Sequence, residues 1–194
     1  MKHVVRHIAH WALLIHIYVS MAGLTLAILF GVTGLALNHQ DFGLSDPRIQ
    51  TSAITIDKDV LANADRAAIE RYVAGKLGIR SAATDYHDED NQIQVTYAVP
   101  GLRTTVTIDR AAGTAEVERE SRGFMGRLGD LHKGFDTGRV WYWTIDIAAL
   151  LIVVSSLTGI VTLMALRARR RLGFTVGALG VLTVLLIYLA WVPK

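Results

Sequence analysis

The chain has 194 residues, 20 Lys and Arg against 17 Asp and Glu, a formal charge of +3, and 52% hydrophobic residues. That apolar share exceeds an ordinary soluble domain's and suits a chain half embedded in lipid. With no cysteine, the chain is excluded from disulfides, thiolate-held iron–sulfur clusters, haem attachment through C-x-x-C-H and thiol redox chemistry.

The charges are unevenly spread. Residues 40–139 hold 16 acidic and 13 basic side chains, whereas residues 11–38, 140–166 and 173–192 together hold one charge, Asp146. A helix rising ~1.5 Å per residue needs about 20 apolar residues to cross ~30 Å of hydrocarbon. Three transmembrane helices are predicted. Lys2, Arg6, Arg167, Arg169, Arg170 and Arg171 flank them without an acidic neighbour. Short basic loops stay cytoplasmic. The N-terminus and loop 167–172 are therefore expected inside, and residues 40–139 outside, in the periplasm of a bacterium whose inner membrane holds the spans. These basic clusters read as topology signals and headgroup contacts, with no nucleic-acid partner.

Residues 1–39 form the tail and first span. The apolar stretch is longer than a signal-peptide core and lacks Ala-x-Ala before Asn38, so it is expected to remain as an anchor. Trp11 and Tyr18 suit the interface. Gly23, Ala27, Gly31 and Gly34 make a small-residue stripe open to close packing of a helix or a flat ligand. Residues 40–122 read as a small α+β domain. Residues 60–77 form its helix, closed by Gly78. Ala53–Asp57 has strand character, and residues 93–99, Leu102–Asp109 and Thr114–Glu120 alternate as half-buried strands. Pro100-Gly101 suits a type II turn. Its small core invites support from the membrane or a second copy. Residues 123–139 are glycine-rich and amphipathic, and are expected to lie along the outer membrane surface. The second span, 140–166, opens on the aromatic belt Trp141, Tyr142 and Trp143. The basic loop 167–172 and the third span, 173–194, follow.

Four residues carry candidate chemistry. His16 sits inside the first span, His39 just past its outer end, and His132 just before the second span. Imidazole is a good axial ligand for haem iron and also a serviceable packing group once hydrogen-bonded. In an antiparallel hairpin His39 and His132 could meet at one side of the membrane. His16 is 23 residues from His39, about 35 Å along a helix, so one ligand set cannot hold both. His16 would serve a second centre, pair across a homodimer, or be structural. Asp146 is expected either to fix a histidine tautomer, to pair with a base or the Thr33 hydroxyl, or to cap locally. The cluster Asp85, His87, Asp88, Glu89, Asp90 reads as an exposed polar loop. His3, His7 and His10 read as a tail flanking the span. No G-x-G-x-x-G, P-loop, H-E-x-x-H or G-x-S-x-G occurs, so no flavin, NAD or nucleotide site is expected in this chain.

His16-Ile-Tyr-Val-Ser-Met, Thr33-Gly34 and Leu37-Asn38-His39 resemble the first span of the PepSY-associated transmembrane helix family. Leu131-His132-Lys133-Gly134, Thr137-Gly138, Trp143, Asp146 and Thr158-Gly159, with the arginine run after them, resemble its second block. The resemblance implies a PepSY-like periplasmic domain and, through larger relatives that reduce ferric siderophores, haem b held by histidines at His16, His39 and His132. Those relatives have four or more spans, and some carry a flavin domain, which this chain lacks. Electrons would come from a quinone or a redox partner. The expectation is a haem b-binding electron-transfer protein that contributes to ferric-iron reduction, a transmembrane ferric reductase component. The alternative is a non-enzymatic PepSY module, tethered by three spans, that binds and regulates a periplasmic partner. A metal-handling accessory protein is a third reading.

Overall fold

A computed structural model describes residues 2–39, 47–57, 60–61 and 65–193. Residues 62–64 of the expected soluble helix, and the first residues expected outside, 40–46, lie outside the described residues. The chain divides into two compact units, residues 1–28 with 146–194, and residues 29–145.

Three helices are long and apolar enough to cross a membrane: α1 (Lys2–Leu37), α4 (Gly138–Ala165) and α5 (Arg170–Trp191). This is a membrane protein with a small α+β domain. Helix α1 begins well before the expected Trp11, because the tail continues the same hydrogen-bonded spiral. Helix α5 begins at Arg170, inside the loop expected at 167–172, because Gly173 bonds back to Arg169 and Arg170 to Leu166.

In the first unit, α1 and α4 pack antiparallel. His16 meets Ser155 and Thr158, Ser20 meets Ser155 across 2.7 Å, and Gly23 lies against Leu151. A Cβ on Gly23 would come 3.2 Å from Leu151 Cβ, so this glycine lets the helices close. Gly31 has nothing within that range; the stripe read from the sequence serves packing at some steps and not at others. Helix α5 is exposed along almost its whole length.

In the second unit, β1 (Arg48–Thr55), β2 (Asp85–Asp88), β3 (Gln92–Val99), β4 (Leu102–Asp109) and β5 (Thr114–Ser121) form one antiparallel sheet in the order β1-β5-β4-β3-β2. Alternation selects its faces. Ile93, Val95 and Tyr97 of β3, Val106 and Ile108 of β4, and Ala115 and Val117 of β5 turn inward. They meet Ile69 and Val73 of α2 (Arg66–Leu77), one helical turn apart on its buried face. Each such aliphatic side chain, fully buried, contributes about 1.5–3 kcal/mol. Asp65 caps α2 by accepting from the Ala68 N–H at 2.8 Å, and Gly78 closes it at φ 67°. Residues 60–77 were expected as one helix; α2 starts at Arg66 because the Asp65 carboxylate sets its first turn. β2 lies where a polar loop was expected: Tyr86 packs on the core while Asp85, His87 and Asp88 stay exposed. The opposite sheet face, with Glu116, Glu118 and Glu120, carries no helix among the described residues.

The glycine-rich segment forms a helix, α3 (Gly123–Lys133), closed by Gly134 at φ 79°.

Candidate functional site

The three histidines share one chemical arrangement. His16 Nδ1 lies 2.9 Å from the Ser155 carbonyl oxygen, and His39 Nδ1 lies 3.0 Å from the Leu35 carbonyl oxygen. A carbonyl only accepts, so both Nδ1 atoms donate. His132 Nδ1 lies 2.7 Å from the Thr33 hydroxyl. That hydroxyl also lies 2.8 Å from the Leu29 carbonyl and 3.3 Å from the Phe30 carbonyl of its own helix, and it can donate to or accept from His132. For His16 and His39 the carbonyl contact thus places a proton on Nδ1. This is the tautomer in which an imidazole binds a metal through Nε2 while a carbonyl or hydroxyl holds its other nitrogen.

Two of these rings rest on Thr-Gly steps. His132 bonds Thr33 and packs its Cε1 over Gly34, 3.2 Å from where a Cβ would stand. His16 lies 3.3 Å from the Thr158 hydroxyl, with Cε1 3.2 Å from the corresponding point on Gly159. The glycine makes room for the ring, and the threonine oxygen orients it. His132 also meets Phe30 edge-on, with ring centroids 5.4 Å apart.

His39 stands elsewhere. It lines a cavity of about 560 Å³ between the end of α1 and α3, walled by Leu35, Leu37, Met125 and Leu128 and edged by Arg122 and Lys133. His132 is not among its lining residues. No hydrogen bond or ring contact between described residues joins His39 to His132. The expected meeting of these imidazoles is therefore not among the contacts seen; His132 is turned to the Phe30–Thr33–Gly34 side of α1 instead. Asp146 is exposed on α4 and forms no hydrogen bond or ion pair with a described residue. Oxygen atoms of Ser155, Leu35 and Thr33 hold the three imidazoles, the duty considered for Asp146. No group of three or more histidine and carboxylate side chains among the described residues could hold a metal ion. In the strand Asp85–Asp88, His87 pairs with Asp85 at 2.9 Å and Arg110 with Asp88 at 2.6 Å.

Sequence reasoning missed Asp130. It is 2% exposed, and its Oδ2 accepts from the Gly101 N–H at 2.8 Å and from Arg122 at 2.7 Å. The Gly101 carbonyl accepts from the Arg122 N–H at 2.9 Å. The β3–β4 turn is thus bolted to α3 through both backbone groups of one glycine. A charge in an amphipathic helix reads as solvated; only its spacing of eight from Arg122 hinted at the pair.

The family model described as PepSY_TM-like matches residues 8–193, nearly the whole chain. The chain belongs to that family. No curated protein and no solved structure matches it. In this PepSY_TM-like protein the two Thr-Gly steps and the three histidines all lie within the matched residues.

Haem needs an apolar slot, an axial nitrogen and cations near its carboxylates. The cavity beside His39 has apolar side chains, the Met125 thioether and Lys133 in its lining, together with Asp130, which is paired there with Arg122.

Proposed function

We propose that this PepSY_TM-like protein binds haem b and carries electrons in the bacterial inner membrane, with residues 40–139 in the periplasm and a ferric chelate as acceptor. The observation that carries the proposal is the cavity of about 560 Å³ with His39 in its wall. Bound there, haem b would supply a one-electron couple.

The chain's own residues prepare that place. The Leu35 carbonyl holds the His39 ring through Nδ1 at 3.0 Å. Met125 offers a soft sulfur from α3. Lys133 would favour a carboxylate, while Arg122 is held by Asp130. His16 and His132 are the candidates for further iron ligation, alone or with a second copy of the chain. Reducing two ferric ions would consume the two electrons of one quinol and release its two protons; a quinone or a redox partner is the proposed donor.

A second reading is a non-enzymatic tethered module that binds and regulates a periplasmic partner. The uncovered sheet face with Glu116, Glu118 and Glu120 favours it, since these three carboxylates form no ion pair among the described residues. Purification in mild detergent from haem-replete cells separates the two readings: a red protein with a Soret band supports the first, and a colourless protein the second.

A further inference from the structure

We propose that α3 is a lipid-reading helix, whose free face lies in the headgroup layer and recognises anionic phospholipid. This inference does not rest on haem binding.

Phe124 and Leu131 lie at helical spacing on one side of α3, while Leu128 between them reaches the cavity beside His39. Phe124 is 67% exposed, whereas Gly129 and Asp130, on another side, are buried. That buried side is fixed by Asp130 to Gly101 and Arg122. The helix therefore cannot roll its phenylalanine inward. Past its end, Phe135 is 59% exposed. A soluble surface gains nothing from two exposed phenylalanines eleven residues apart; an interface of headgroups and acyl chains does.

The charges select the lipid. Arg127, Lys133 and Arg139 are exposed on and after α3. The acidic partner within the helix, Asp130, is spent internally on Arg122. Arg127 on the helix and Arg139 after it thus stand near the exposed aromatic rings, the pairing that draws a helix to anionic headgroups, while Lys133 lies on the opposite side of α3 in the cavity lining. It is continuous in sequence with the outward-facing apolar start of α4, where Val140 is 83% and Trp143 60% exposed. A second protein is the competing occupant; the membrane is favoured because the chain enters a span-length helix five residues after Lys133.

The absence of native cysteine allows single spin labels. Full-length protein carrying Phe124→Cys, Phe135→Cys or Glu118→Cys is placed in nanodiscs of phosphatidylcholine with increasing phosphatidylglycerol. Collision rates with oxygen and with a water-soluble nickel chelate are then measured. The labels at 124 and 135 should favour oxygen, increasingly with phosphatidylglycerol, while the label at 118 on the uncovered sheet face favours nickel throughout. Arg127→Glu with Arg139→Glu should abolish the dependence on phosphatidylglycerol. A label at 124 as open to nickel as that at 118 in every nanodisc overturns the proposal. Oxygen preference indifferent to phosphatidylglycerol overturns its anionic selectivity. Neither result depends on whether the protein is red.

Discussion

His132 Nδ1 lies 2.7 Å from the hydroxyl of Thr33, ninety-nine residues earlier in the chain. The same hydroxyl lies 2.8 Å from the Leu29 carbonyl, so it ties the His132 ring to the backbone of α1. Thr33 is 3% exposed, so removing its oxygen leaves His132 Nδ1 without this partner. Thr33→Val should cost about 1–3 kcal/mol. Thermal unfolding in detergent measures the loss, and nitrogen NMR of His132 should show a tautomer balance changed from the parent's.

Gly34 and Gly159 should respond alike. A Cβ at either position would stand 3.2 Å from an imidazole Cε1, so the ring must shift by a few tenths of an ångström. Gly34→Ala should disturb His132 and leave His16 untouched; Gly159→Ala should do the reverse. Histidine proton shifts in the two variants read this directly.

Gly101 tolerates much less. Its φ is +78°, and a Cβ would meet the Arg127 Cβ at 2.9 Å and its backbone at 3.0 Å. Strain of this kind costs about 1–3 kcal/mol before the clash is counted. Gly101→Ala should therefore loosen the Asp130 contact and destabilise the sheet domain. Asp130→Ala should cost about 3–5 kcal/mol, since it leaves the Gly101 N–H and Arg122 without their buried acceptor. Asp130→Asn, which keeps an acceptor oxygen for Gly101, should fall between it and the parent in denaturant unfolding.

Tyr97 carries a pH signature. Burial first, and the nearby Glu70 charge second, push its phenol from 10.0 up to about 12, while its hydroxyl donates to the Glu70 carbonyl at 2.6 Å. The folded state thus holds the proton more tightly than the unfolded state. The resulting stability, about 2–3 kcal/mol, is full below pH 10 and is lost as pH rises towards 12. Tyr97→Phe should flatten that alkaline decline, followed by circular dichroism.

Much of this was legible in the sequence. The spans were, because charge is scarce in them for the plain reason that hydrocarbon penalises it. Strands β3 to β5 were, because a sheet covered on one face writes its period of two into the residues; Leu102–Asp109 is the strand expected. Less legible were contacts that depend on rotation about a helix axis. His39 lines the cavity, whereas His132 bonds Thr33 and rests on Gly34, five to six residues earlier on α1. Asp130 was hidden because its partner is a backbone N–H, which leaves no trace in residue type. β2 was hidden because four polar residues at a sheet edge resemble a loop.

The central claim is that an imidazole in the wall of the α1–α3 cavity holds haem. The most direct measurement is the absorption spectrum of the purified full-length protein beside His39→Ala, His132→Ala and His87→Ala. The account predicts a Soret band in the parent, its loss or marked decline in His39→Ala, a decline in His132→Ala, and no change in His87→Ala. A parent protein without the band, or a band indifferent to His39, would contradict it.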